Sequence, residues 1–346
     1  MAVYTAIDNP ELYFQVTTFV GDEVDDRAIT LPGSEDMAPD MVWAGEYGPD
    51  YDGGKIWDTT RGATKFLFPG RTNAEATNAN GLKSFDSDGF TVGTDAATND
   101  DGVSNVAWCW KGGTTAVPSG GSITPSAVSF SATSGFGVYK WTGTGANGNI
   151  AHGLGVAPKL LLIKNTEITS GWQVGSTTIG FTKVIYINST AIPDTSATVW
   201  NDTAPSATLF TVGSNNGSNK GSDVMMCYAF ADVQGFSKLG SYEGNGKVDG
   251  TFVYTGFRPA WVMTKSFDST SDWFIFDNKR AGYNPDNNQL WANRDAVEST
   301  QDMIDILSNG FKFRIAGDPN VAETYIYAAF AEAPFVNSNG APCNAR

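Results

Sequence analysis

The sequence predicts an all-β chain made of three tandem antiparallel β-sandwich domains, jelly-roll-like in form and each about 100 residues long. The first observation is composition, because 39 Gly, 15 Pro and an aromatic fraction of 12% favour strands and turns over helices. The second is that one aromatic, strand-length pattern returns three times along the chain. The third is that two further markers return with nearly the same spacing.

The repeated pattern is a near-continuous apolar run of strand length, which is typical of a buried strand. It reads N-V-A-W-C-W-K at 105–111, V-M-M-C-Y-A-F-A at 224–231 and T-Y-I-Y-A-A-F-A-E at 324–332. A proline precedes an apolar strand at Pro39, Pro158 and Pro259, and a turn ends in phenylalanine at Phe90, Phe210 and Phe311. Three markers in constant order indicate an internal repeat with a diverged middle copy.

These markers divide the chain into six parts. Residues 1–12 form an N-terminal arm, and 13–113 form the first repeat, which is acidic. The Gly-, Ser- and Pro-rich stretch 114–135 is either a linker or an added edge strand. The second repeat covers 136–236, the third covers 237–336, and 337–346 form a polar tail. We expect at most one helical turn, at 300–307.

Charge and the lack of long apolar stretches argue against two classes of partner. The net charge is −15, and residues 1–110 hold six Lys and Arg against nineteen Asp and Glu. Such a chain has no basic stripe that would displace counterions from nucleic acid, so we expect no nucleic-acid binding. No apolar stretch reaches 18 residues, so we expect no membrane insertion either.

The sequence does not predict an enzyme. The single histidine, His152, lies in a glycine-rich turn, where a structural role is expected, and no serine lies in a G-x-S-x-G motif. Cys109 and Cys227 lie inside the repeated aromatic pattern and are expected to be reduced and buried. We therefore predict no catalytic residues.

Matching charged residues in the outer repeats predict an ion-pair network that braces each sandwich. A paired-carboxylate site of the glycosidase type is the alternative interpretation. The matched residues are Asp58, Arg61, Arg71 and Glu75 in the first repeat and Asp277, Arg280, Arg294 and Glu298 in the third.

Two further residue sets have a functional and a structural interpretation. The acidic, glycine-ended loops contain Asp86, Asp88, Asp100 and Asp101, which are either Ca²⁺ ligands or ordinary turn residues. No other cofactor is expected. Tryptophans in an all-β chain either stack on sugars or fill the core. The candidates for glycan stacking are Trp141, Trp172, Trp200, Trp273 and Trp291.

The phrases S-F-D-S-D-G-F-T-V-G, N-A-E-A-T, W-D-T-T-R-G-A and V-A-W-C-W-K-G-G together resemble a repeat domain of virion structural and tail fibre proteins from marine tailed bacteriophages. H-G-L-G-V-A-P-K and Y-A-A-F-A-E are similar to later copies of that domain. The resemblance covers most of the chain and implies a place in the phage particle, after synthesis in the host cytoplasm. It brings no catalytic residues.

We therefore expect a non-enzymatic virion structural protein, first of all a tail fibre or spike component for host attachment. A capsid decoration protein on the head surface is the alternative within the same class. A glycan-binding or glycan-cleaving module is the alternative from another class. The expected partners are other virion proteins, further copies of the chain (a trimer, by analogy with fibres) and a host surface glycan.

Overall fold

The computed structural model describes residues 5–48, 54–280, 284 and 288–334. In this part of the chain the fold is all-β, with several antiparallel sheets and only single-turn helices. No helix in the described ranges is long and apolar enough to cross a bilayer.

The first segment, 13–113, forms one larger and two smaller sheets, with strand orders β1-β9-β3-β4, β2-β8-β7 and β5-β6. A 3-10 turn, Pro10–Leu12, precedes it. Its elements are β1 Phe14–Val20, β2 Arg27–Ile29, β3 Met41–Glu46, β4 Lys55–Asp58, β5 Lys65–Phe66, β6 Ala76–Thr77, β7 Leu82–Asp86, β8 Gly89–Val92, α1 Ala96–Asn99 and β9 Ser104–Trp110.

The second segment, 136–236, forms most of a seven-stranded sheet, β10-β11-β18-β13-β14-β15-β16, and a two-stranded sheet, β12-β17. Its elements, with one preceding strand, are β10 Ala127–Ser131, β11 Phe136–Thr142, β12 Gly148–Ala151, β13 Leu160–Asn165, β14 Gln173–Ser176, β15 Lys183–Tyr186, β16 Asp194–Thr195, α2 Ala197–Trp200, β17 Leu209–Val212, α3 Asn216–Asn219 and β18 Val224–Phe230.

The third segment, 237–336, forms a five-stranded sheet, β19-β26-β21-β22-β23, and a three-stranded sheet, β20-β25-β24. Its elements are β19 Ser237–Glu243, β20 Phe252–Tyr254, β21 Phe257–Ser266, β22 Phe274–Asp277, β23 Leu290–Trp291, β24 Ile304–Leu307, β25 Gly310–Phe313 and β26 Thr324–Pro334.

The larger sheets share one strand order. In each, the first strand of the segment pairs with its last strand, which pairs with the proline-led strand, which pairs with the next strand in sequence. The register is also shared, since Trp110 lies opposite Met41, Phe230 opposite Leu160 and Phe330 opposite Trp261. We call β9, β18 and β26 the closing strands.

The three closing strands meet in a core that all segments share, which we call the inner core. Ring centroids lie 6.1 Å apart between Trp110 and Phe230, 5.7 Å between Phe230 and Phe330, and 5.5 Å between Trp110 and Phe330. The last aromatic of each repeated pattern therefore occupies one corner of a triangle. This arrangement differs from the expected separate cores, because one face of every larger sheet packs against the other two.

The opposite face of each larger sheet covers an outer core of its own segment. Residues alternate between the two sides of a strand, so Trp110 points into the inner core and Cys109 into the outer one. The outer cores hold Phe90 in the first segment, Phe210 in the second and Phe311 in the third. Two buried faces explain why the closing strands are apolar over most of their length.

Three parts of the chain outside the repeated strands can also be placed. Within 114–135, β10 pairs with β11, which makes this stretch an edge strand and not a free linker. The described end of the N-terminal arm packs on its own chain, since Ile7 lies in the inner core and Ala6 N donates to Gln234 O at 2.9 Å. The helical turn expected at 300–307 is wrong, because Ile304–Leu307 is a strand paired with β25. The polar tail lies outside the described residues.

Candidate functional site

The structure brings Asp58, Arg61 and Glu75 together in a buried polar cluster where the first segment meets the second. Asp58 Oδ2 pairs with Arg61 Nε, and Arg61 Nη1 lies 3.4 Å from Glu75 Oε2. Tyr228, from the closing strand of the second segment, donates its hydroxyl to Asp58 Oδ2 at 2.7 Å and accepts from Arg61 Nη2 at 3.2 Å. The cluster therefore joins two segments.

Burial by itself raises the pKa of Asp58, but the charge of Arg61 and the hydrogen bonds from Thr60 and Tyr228 outweigh it and hold that pKa below its usual value. Asp58 is thus an ionised carboxylate with every strong partner inside the protein. Because Asp58 is fully buried and its hydrogen-bond partners are protein groups, it stabilises the fold and is not open to a substrate.

The third segment repeats the arrangement. Asp277 Oδ2 lies 2.7 Å from Arg280 Nε, and Arg280 Nη1 lies 3.0 Å from Glu298 Oε2. Trp108 of the first closing strand donates its indole N–H to Asp277 Oδ2 at 3.2 Å. Burial raises the pKa of Glu298 despite the nearby arginine. This cluster joins the third segment to the first.

The second segment has the same turn without the charges. Register places Ser176 of β14 where Asp58 and Asp277 lie, and Ile179 stands where the arginines stand. The facing position on the closing strand is Ala328, in place of Tyr228 or Trp108. Ser176 and Ala328 line a cavity of about 10 Å³ between the second and third segments. Matching the repeats within the sequence did not identify this correspondence, although D-T-T-R-G at 58–62 and S-T-T-I-G at 176–180 are similar.

Two buried lysines bind loops of the preceding segment. Lys164 Nζ donates to Thr72 O at 3.1 Å and to Ser170 O at 2.6 Å. At the equivalent position, Lys265 Nζ donates to Thr190 O at 3.2 Å and to Ser266 O at 2.6 Å. Burial lowers the pKa of each lysine to about 8. Sequence reasoning did not identify either residue, because lysine on a strand is usually a surface residue.

Burial decides between the two interpretations of the tryptophans in favour of core packing. Trp141, Trp172, Trp200 and Trp273 are at most 1% exposed, and Trp291 is 8% exposed, so none of the five offers an open face to a glycan. Two of them instead connect segments through the indole N–H. Trp172 donates to Phe68 O at 2.8 Å, and Trp273 donates to Tyr186 O at 3.0 Å.

Arg71 and Arg294 lie outside the buried clusters. Arg71 pairs with Asp295 at 2.8 Å and lies over the ring of Phe68. Arg294 pairs with Asp272 at 2.9 Å and lies over the ring of Trp291. The two arginines make equivalent ring contacts, but Arg71 pairs with a residue of the third segment and Arg294 with a residue of its own segment. At the surface such an ion pair contributes about 0 to 1 kcal/mol.

The acidic loops use their carboxylates in turns. Asp86 accepts from the hydroxyls of Ser84 and Thr91, each at 2.7 Å, and Asp88 accepts from Met37 N at 3.2 Å. Asp100 and Asp101 lie at the turn before β9. Among the described residues, no three His, Cys, Asp or Glu side chains come together as a metal-binding group.

His152 is a buried structural residue. Its Nδ1 accepts from Leu154 N at 3.1 Å, so the ring is neutral with the proton on Nε2, which lies 3.1 Å from Ser206 O. Burial lowers the pKa of His152, and the Ser206 carbonyl offsets this only in part. Cys109 and Cys227 are buried and unpaired.

One exposed aromatic pair was not identified from the sequence. Phe252 and Tyr254 lie on the outer face of β20 and are 44% and 60% exposed, while Val253 between them is buried. Val248, just before the strand, is 67% exposed. The alternation in T-F-V-Y-T at 251–255 is the signal that could have identified them, because alternate residues of a strand face opposite sides.

Comparison with known proteins identifies the family and no function. Neither a curated protein nor a solved structure matches the chain. One family model, described as a domain of unknown function (DUF7483), matches residues 9–334, which include all three segments. The chain therefore belongs to the DUF7483 family.

Proposed function

We propose that the three segments are copies of one jelly-roll-like sandwich unit and that the protein is a non-enzymatic structural component of a bacteriophage virion. Within that class, the first choice is a tail fibre or spike component that takes part in host attachment. The sequence resemblance motivates the virion assignment.

One observation supports the structural role most directly: the buried charged groups hold segments together. Asp58 binds Tyr228 of the next segment, Asp277 binds Trp108, and Lys164 binds the loop at Thr72. Buried charges in an enzyme site would keep a free side for substrate, whereas these are surrounded by protein partners. Such bracing suits a module that has to stay rigid on a particle.

The cyclic arrangement also favours the second candidate, a capsid decoration protein. The second segment contacts the first through Tyr228, the third contacts the second around Ser176, and the first contacts the third through Trp108. A chain that closes three similar units into a ring has approximate threefold symmetry, which would match threefold positions of a shell. Because one chain already supplies three packed units, it would supply the threefold arrangement that a fibre homotrimer forms from three chains.

Labelled particles test these proposals. A gold or antibody label at the C terminus, imaged by electron microscopy of purified particles, is expected on the tail. Label on the head shell would overturn the fibre assignment in favour of decoration, and complete absence from particles would overturn the virion role itself.

The glycan-binding alternative has a separate test. A glycan array with the intact protein, repeated with Phe252→Ala and Tyr254→Ala, examines the exposed aromatic pair that replaces the buried tryptophans as a candidate surface. Binding lost in those variants would support attachment through a host glycan. Release of reducing ends from host polysaccharide would contradict the non-enzymatic assignment.

A further inference from the structure

We propose that the outer edge of β20, which no strand of the described residues covers, accepts an extended segment of a partner polypeptide, added parallel to β20 as an extra strand of the β20-β25-β24 sheet. Main-chain hydrogen bonds would supply the attachment, and the exposed side chains of Phe252 and Tyr254 would select the sequence. The proposal does not depend on the virion assignment.

Part of the backbone of β20 points away from its only described neighbour, β25. This strand is the outermost of its sheet and pairs only with β25 among the described strands. Phe313 N donates to Thr251 O at 3.1 Å, and Phe311 lies opposite Val253. In an antiparallel pair the bonded positions alternate, so the N–H and C=O groups of Phe252 and Tyr254 point away from β25.

In the second segment, the chain itself covers the equivalent edge. Ile150 of β12 lies opposite Phe210 as Val253 lies opposite Phe311, so Asn149 corresponds to Phe252. A segment from 114–135 runs parallel to β12 there, with a bridge between Ile123 and Ile150. Ile123 N donates to Asn149 O at 2.9 Å. The covering segment thus uses the carbonyl that corresponds to the carbonyl of Phe252.

In the first segment, the equivalent edge is protected by charge. Ala28 of β2 corresponds to Phe252, because Ile29 lies opposite Phe90. The residues leading into β2 read D-E-V-D-D-R at 22–27. Charged residues beside an edge strand are a common way to prevent pairing with another chain. Of the three equivalent edges, only β20 carries large exposed apolar side chains.

These observations define the partner's chemistry. In parallel pairing at the Ile123 position, the residue opposite Val253 faces inward and its two neighbours lie beside Phe252 and Tyr254 on the outer face. Aromatic residues pair well with β-branched residues across strands. We therefore expect an extended segment with β-branched apolar residues at the two outward positions and no proline at the paired residues.

The test uses two dye-labelled peptides and the intact protein. The first peptide copies 119–126 (S-G-G-S-I-T-P-S), and the second carries Ser122→Val and Thr124→Val in that sequence. Fluorescence anisotropy is expected to show saturable binding of both. The second peptide should bind about 2- to 30-fold more tightly, because two cross-strand pairs at about 0.2–1 kcal/mol each are added.

The protein variants decide where the peptides bind. Phe252→Lys with Tyr254→Lys should weaken binding at least about tenfold, since the exposed aromatic contacts are lost and charge is placed on the edge. Ala28→Lys, at the equivalent exposed position of β2, is the matched control and should leave binding unchanged. Tyr254→Lys alone, at the more exposed site, is used if the double variant does not fold, as judged by near-ultraviolet circular dichroism.

Three results would overturn the proposal. They are no saturable binding of either peptide up to millimolar concentration, equal binding by the lysine variant, and equal loss in the Ala28→Lys control. Sedimentation of the protein without peptide tests whether a second copy of the chain occupies the edge. Dimers that disappear in Phe252→Lys with Tyr254→Lys would assign the edge to that second copy. None of these outcomes depends on where label appears on a phage particle.

Discussion

Replacing Asp58 by serine should destabilise the protein strongly, and replacing Arg61 as well should restore much of the loss. The second segment supplies the design, because Ser176 and Ile179 occupy the positions of Asp58 and Arg61. The side chain of Arg61 is 1% exposed, so Asp58→Ser leaves a guanidinium buried with only the more distant Glu75 as a charged partner. Breaking one side of a buried pair costs about 3–5 kcal/mol.

Asp58→Ser with Arg61→Ile removes both charges and leaves the Tyr228 hydroxyl without its two partners, which costs about 1–3 kcal/mol. Adding Tyr228→Phe removes that hydroxyl too. Glu75 also pairs with Lys65 Nζ at 2.8 Å, and none of these substitutions removes that partner. The free energy of unfolding is therefore expected to decrease from wild type to the triple variant, then to the double variant and finally to the single variant.

Equilibrium urea denaturation, followed by tryptophan fluorescence, measures this order. Arg71→Ala is the control for an ion pair at the surface, since its pair with Asp295 is solvent-exposed and should change stability by at most about 1 kcal/mol. A double variant as unstable as the single one would refute the reasoning, because the cost would then not come from an unpaired buried charge. A single variant within about 1 kcal/mol of wild type would refute it as well.

Two further predictions concern the shared core and the single histidine. A fragment of residues 136–236 should fail to reach a fixed tertiary structure, because Phe230 and Leu162 would lose the other two segments; sharp, dispersed amide signals in its NMR spectrum would contradict this. Burial lowers the pKa of His152, so the unfolded state takes up a proton more readily, and stability should fall as pH drops below about 6.5. His152→Asn, which can still accept from Leu154 N, should make urea midpoints between pH 7 and 5 less dependent on pH, and an unchanged slope would count against the assignment.

Much of the fold was predictable from the sequence because burial leaves a periodic signal. The aromatic run ending at Phe330 is apolar from Tyr325 onward since both of its faces are covered, and the same reason applies to the runs ending at Trp110 and Phe230. The pairing of Asp58 with Arg61 could be anticipated because Asp277 and Arg280 recur at the same spacing of three residues in the third segment. Comparison of the two outer repeats therefore identified the charged residues of these clusters.

Contacts between distant parts of the chain were not predictable in this way. Tyr228 lies 170 residues from Asp58, and Trp108 lies 169 residues from Asp277, so no local pattern links them. The tryptophans illustrate the same limit, because composition cannot distinguish a ring at the surface from Trp172, which is buried between two segments.

The sequence by itself determined the all-β class, the order of the recurring strands and the charged residues that match between the first and third segments, because these follow from composition, turn residues and regular spacing. Only the tertiary structure decided that the three segments share an inner core, that the buried charges hold one segment against the next, and that β20 is an edge strand with exposed aromatic side chains. The physical reason is that each segment has a second apolar face, and which surface covers that face depends on how the three pack together.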